Sequence, residues 1–175
     1  LYEIIEKEAS GVFPVWAELG LLYQRRPDGQ EAKEFLDRED IQLHISQIQK
    51  EIVEAFSKLA LERQDSLQGE LQDWLQPLKE KGAYLMVRSS GDEDGAYANA
   101  GGNESVSYVL PTREAVFTAC GRSVASFFGI ASLVNRLNAG INPFEKELEL
   151  GVFVQELVGE SPDDNDTIPI SLVLF

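Results

Sequence analysis

Basic charge and the usual catalytic side chains are scarce in this chain. Lysine and arginine number 15 against 30 acids, for a formal net charge of −15 and a pI near 4.4. Nucleic acid and anionic membranes are held by clustered bases, so the shortage argues against a surface for either. It leaves room for a nucleotide ligand, because a few arginines and backbone amides can hold a phosphate locally. Most of the acids read as a solvated surface. A single cysteine, Cys120, permits no internal disulfide and fits a reducing, cytoplasmic setting. The one histidine, His44, lies in an amphipathic helical pattern, and nothing in the sequence brings it near Cys120. A two-histidine site within this segment is excluded, and His44 reads as structural or solvent-facing. Neither GxxxxGK[ST] nor GxGxxG occurs, which removes the commonest phosphate loops. No apolar run approaches the ~18 to 20 residues that cross a bilayer, and no signal-peptide pattern opens the chain.

What is present suffices for one sizeable core, or one domain with an appended helical piece: 175 residues, 43% of them hydrophobic. The chain starts at Leu1 without a methionine and stops at Phe175 inside the apolar pattern "IPISLVLF". The expectation is a piece of a longer polypeptide.

Residues 1–25 mix apolar side chains with Gly11 and Pro14 and suggest short helices. "RRPDGQ" at 25–30 predicts a turn, since Pro27 fixes φ and Asp28-Gly29 supplies turn chemistry. From Asp40 to about Leu61 the residues Ile41, Ile45, Ile48, Ile52, Phe56 and Leu59 recur at helical spacing, with Asp40 as a candidate N-cap. A second amphipathic helix follows Ser66 and is expected to end at Pro77 and Gly82. Beyond Gly82 the pattern changes. "AYLMV" reads as a buried strand, 89–104 as a small polar loop and "SVSYVL" as an alternating strand. Residues 111–137 read as one or two helices with Thr112 as N-cap and a weak point at Gly121. "ELGVFVQELV" and "TIPISLVLF" predict two more strands around an acidic turn. The fold class expected is α+β. Within the turn, "DDNDT" resembles a calcium loop in part but lacks the glycine and distal glutamate in register. The sequons at Asn103 and Asn165 are matched by chance in a chain with nothing secretory about it.

The stretch "YLMVRSSGDEDGAYANAGGNES", 84–105, holds the candidate chemistry. An arginine at the end of a buried strand meets anions at a sheet edge, and the fork of Arg88 suits a pair of phosphate oxygens. Ser89 and Ser90 add hydroxyls. A loop rich in glycine and alanine lets backbone amides approach a polyphosphate. The residues alone equally allow a hairpin loop in which Arg88 pairs with Glu93 or Asp94.

"YLMVRSS", the small-residue loop and "AGGNES" resemble a signature of the pyruvate phosphate dikinase and phosphoenolpyruvate synthase family, in its N-terminal nucleotide-binding domain of ATP-grasp fold. "ASFFGIASLVNRLNAGI" at 125–141 is similar to that family's "ASLF..RAI.YR...GI" helix, "VFVQELV" at 152–158 to its "V.VQ.MV" strand and hinge, and "SLVLF" at 171–175 to its "SGVLF" strand. The matches fall in order over about 84–175; residues 1–83 form a preceding helical segment without a motif.

The resemblance implies the following roles. Arg88 contacts ATP phosphates, and Ser89, Ser90 and the loop through Gly101 and Gly102 cover the triphosphate, with Asp94 in the acidic pair. The hinge beside the adenine comprises Gln155, Glu156 and Val158, partly through backbone groups. Arg136 matches a helix arginine that supports the phosphates; read from the residues, it is equally a structural arginine. The implied cofactors are ATP and Mg2+, the metal ligands lying outside this segment. The implied partners are other domains of the parent chain, one bearing a phosphoryl-carrier histidine. The chain departs from the pattern at Ala131, Gly102 and Leu172, where the family has arginine, glutamine and glycine. A nucleotide-binding or regulatory module without catalysis is the alternative expectation.

Overall fold

The computed structural model describes residues 2–62, 66–90, 101–144 and 151–158. Five helices come first: α1 (Tyr2–Glu8), α2 (Val12–Gln24), α3 (Ala32–Leu36), α4 (Glu39–Glu62) and α5 (Ser66–Glu80). There follow β1 (Tyr84–Ser90), β2 (Val106–Val109), α6 (Arg113–Ser126), α7 (Ile130–Asn138) and β3 (Gly151–Leu157). The α+β class expected from the sequence is the class observed. Pro14 is accommodated in the first turn of α2, where its missing N–H loses no intrahelical bond. The turn at Pro27 closes through a bond from the Gln30 amide to the Pro27 carbonyl at 3.1 Å, with Gly29 at φ 82°.

α4 lays the periodic face Ile41, Ile45, Ile48, Ile52, Phe56 and Leu59 into the interior, all of them buried. Its helix begins at Glu39, so Asp40 is a first-turn residue, and its carboxylate pairs with Arg38 at 2.6 Å. Two cores result. The larger unites α1–α4 with the end of α6 and with α7, and therefore draws on both sides of position 83. Aromatic rings fill it: Trp16 meets Phe128 edge-on at 4.9 Å and Phe144 at 4.8 Å, and Tyr23 meets Phe35 at 5.2 Å. The smaller core places Leu75 and Leu78 of α5 and Val116 and Ala119 of α6 against Leu85, Val87 and Val109 of the sheet.

α6 is the shared wall. Val116 and Ala119 face the sheet, whereas Val124 and Ala125 face the helices. Buried on two sides, α6 carries a wide apolar surface, and its charged residues Glu114 and Arg122 are exposed. By length and composition the stretch Arg113–Asn138 could cross a membrane, but more than half of its most apolar window, 56%, is buried inside the protein. That burial accounts for its composition. Thr112 caps α6 as expected, its hydroxyl accepting from the Ala115 amide at 3.3 Å. Gly121 does not break the helix; the chain turns later, at 127–129. The glycine serves an approach of α4 to α6, since a Cβ there would lie 2.8 Å from Cβ of Phe56 and 3.3 Å from Cα of Val53.

The three strands pair antiparallel in the order β2-β1-β3. β1 and β3 run without a break, from Tyr84 opposite Leu157 to Ser90 opposite Gly151. β2 carries a bulge, since Leu85 opposes Val109 while Val87 opposes Val106. The expected strand at 167–175 lies outside the described residues.

Candidate site on the uncovered sheet face

Period-two alternation divides the sheet. Leu85, Val87, Val106, Val109, Val152 and Val154 point toward α5 and α6. Their alternates point the other way: Tyr84, Met86, Arg88 and Ser90 on β1, with Phe153, Gln155 and Leu157 opposite them on β3. None of these alternates is buried among the described residues. Tyr108 joins them from β2, its ring 5.8 Å from that of Tyr84.

The register therefore gathers three of the sequence-predicted residues, Arg88, Ser90 and Gln155, on one accessible face. Arg88 is exposed; its guanidinium lies 5.6 Å from the Phe153 ring centre and makes no ion pair among the described residues. An exposed arginine braced by an aromatic face keeps its donors free for a planar oxyanion. Gly151 permits the strand approach at this end, because a Cβ on it would collide with the Ser90 carbonyl. Ser89 and Glu156 fall on the opposite face. Glu156 pairs with Lys81 at 2.7 Å, both side chains half-exposed, a contact worth little in water. Val158 follows the last residue of β3 and is 90% exposed. Asp94 and the rest of 91–100 lie outside the described residues.

Gly101 and Gly102 re-enter the fold beside α6 and α7. Gly101 takes φ 73°, a conformation that glycine adopts without strain, and Gly102 is buried. The next two residues explain why "NE" follows them. Asn103 accepts from the Ser132 hydroxyl at 3.1 Å through Oδ1. The Glu104 amide donates to Ser126 Oγ at 2.8 Å, its carbonyl accepts from Ser123 Oγ at 3.1 Å, and its carboxylate pairs with Arg122. Ser123 and Ser132 are fully buried polar residues, so these contacts supply the partners that burial demands. Sequence reasoning misses this anchoring, because its partners are 18 to 29 residues away and Asn103 shows locally only as a chance sequon. Arg136 sits in the α6–α7 corner, donating to the Phe127 carbonyl at 3.1 Å with its guanidinium 5.6 Å from the Phe127 ring.

Other chemistry is sparse. A groove of about 510 Å³ runs between β2 and α6, past Ser107, Leu110, Thr118 and Arg122, and contains none of the predicted site residues. Burial pushes the Cys120 thiol up to about 11, which keeps it protonated and unreactive near neutrality. His44 is half-buried on α4, and its Nδ1 has no hydrogen-bond partner among the described residues. No cluster of three His, Cys, Asp or Glu suited to a metal ion occurs among the described residues. Compared with known proteins, the chain matches no family model, no curated protein and no solved structure.

Proposed function

We propose that this chain forms part of the ATP-binding unit of a dikinase-type phosphotransferase, in which ATP phosphorylates a carrier histidine on another domain. The observation that carries the reading is the β1–β3 register, which sets Arg88 and Gln155 as diagonal neighbours on the uncovered sheet face. The ordered sequence resemblance to phosphoenolpyruvate synthase and pyruvate phosphate dikinase supports it.

In this reading the Arg88 fork holds two oxygens of the triphosphate, the Ser90 hydroxyl donates a further bond, and Phe153 keeps the guanidinium oriented. Backbone groups around Gln155 to Val158 meet the base. Gly101 and Gly102, fixed to α6 and α7 through Asn103 and Glu104, bring backbone amides to the phosphates. Mg2+, with ligands that would lie outside this segment, would supply neutralisation of charge on the transferring group. These residues contribute positioning and electrostatic stabilisation, which together account for most of the catalysis of phosphoryl transfer.

Photo-crosslinking with an azido-ATP analogue, followed by peptide mapping, tests the placement. Label is expected on peptides containing 84–90 and 151–158, and excess ATP should suppress it. Label confined to α1–α4 would contradict the proposal. A binding or regulatory module without catalysis is the second reading, and Ala131 favours it. This residue is exposed on α7 where the resembled family carries an arginine. Protection by ATP without any phosphorylated histidine in the parent polypeptide would select that reading.

A further inference from the structure

Tyr108 is the one non-glycine residue with positive φ among the described residues, at 56°. A bulky side chain disfavours this backbone region, and conformations of this kind tend to gather where a side chain must be aimed. The strain coincides with the bulge in β2, and bulges re-aim side chains. Its consequence is specific: the phenol ring turns onto the uncovered face and meets Tyr84 at 5.8 Å with the ring planes at 78°. Two half-buried rings at nearly a right angle make a corner. A flat base stacked on one ring presents its edge to the other, as in other edge-to-face aromatic arrangements. Neither phenol hydroxyl has a hydrogen-bond partner among the described residues, so both are available to the polar edge of a base. Ordinary cross-strand aromatic pairs form with extended backbone at both positions, so pairing alone gives no reason for the left-handed Tyr108.

Arg88 lies on the same face of β1 as Tyr84, with Met86 between them. Four residues of strand separate the aromatic corner from the guanidinium by about 13 Å. That span is comparable to the reach from base to terminal phosphates in an extended nucleoside triphosphate. Resting on the ATP reading above, we infer that Tyr84 and Tyr108 form a base-stacking corner and determine specificity for the purine of the nucleotide, while Arg88 holds the phosphates.

The test compares Mg-ATP with inorganic tripolyphosphate, which has the phosphates and no base, as ligands of the full chain. Tyr108→Gly and Tyr84→Leu are each expected to weaken Mg-ATP by about 5- to 100-fold, the range for loss of one base–aromatic stack. Tripolyphosphate affinity should stay unchanged, and Tyr108→Phe, which keeps the ring and loses only the hydroxyl, should weaken Mg-ATP less than Tyr108→Gly does. Arg88→Ala should weaken both ligands. If both tyrosine variants bind Mg-ATP like the parent while Arg88→Ala weakens both ligands, the stacking corner is wrong and the ATP reading stands. Equal loss of both ligands in the tyrosine variants would assign the pair to sheet stability and overturn the inference. Failure of the unmodified chain to bind either ligand overturns the ATP reading and this inference together.

Discussion

In the helical layer Trp16, Phe35, Phe127 and Phe128 are buried, and α4 packs along α6, whereas β1 buries Leu85 and Val87 and leaves their alternates Tyr84, Met86 and Arg88 accessible. The helical half thus closes around a shared aromatic and aliphatic interior, while Leu21, Leu43 and Leu61 on its outer side face solvent. Among the described residues, helices cover only one face of the sheet. Among the described residues no layer covers the second face, which carries Tyr84, Met86 and Phe153, and in the proposed reading a bound nucleotide would lie against them.

That contrast predicts where substitutions should hurt. Phe128→Ala removes a fully buried ring that touches Trp16 and should cost about 3 to 5 kcal/mol, read from denaturant unfolding. Within β1 the two faces should separate cleanly. Leu85→Ala, on the buried face, should cost about 2 to 5 kcal/mol. Met86→Gln, one residue along on the other face, should stay within about 1 kcal/mol. Equal losses at 85 and 86 would mean that the second face is packed after all. Gly121→Val should cost about 1 to 3 kcal/mol by forcing α4 and α6 apart at Phe56 and Val53.

Much of this architecture is legible in the residues, for identifiable reasons. The six apolar positions of α4 repeat at helical spacing because one side faces water, so periodicity reveals both helix and core. α6 offers no such signal at Gly121: it is buried on two sides, and the glycine that reads as a weak point is a contact point with α4. The candidate site divides in the same manner. Arg88 and the strand around it are visible locally, and alternation puts Arg88 on the face opposite to Leu85 and Val87. The partner strand and its register are non-local, so neither Phe153 beside Arg88 nor Gly151 opposite Ser90 follows from any short window. Tyr108 is hidden for a further reason. In "SVSYVL" strict alternation places it away from the face it occupies, and only the bulge moves it.

One predicted effect is confined to alkaline pH and concerns Cys120, in the wall between the two cores. Its pKa is pushed up to about 11 by burial, so the folded state retains a proton that the unfolded chain releases. Stability from this group is therefore complete below the unfolded thiol value. It falls as pH rises toward the folded value, by about 1.4 kcal/mol per pH unit between them. Cys120→Ala should flatten that part of the alkaline unfolding profile. A thiol reagent at pH 8 should label the native chain far more slowly than the denatured chain.

The central claim is that the uncovered sheet face binds ATP through Arg88, and the most direct measurement is an NMR titration of the full chain with Mg-ATP up to millimolar concentration. Amide shifts should concentrate at Arg88, Ser90, Gln155 and Val158. Arg88→Ala should weaken the affinity by about 10- to 100-fold, as expected for losing a charged hydrogen-bond donor, while leaving the unfolding midpoint nearly unchanged. Shifts confined to the helical layer, no shifts at all, or an Arg88→Ala affinity equal to that of the parent chain would contradict it.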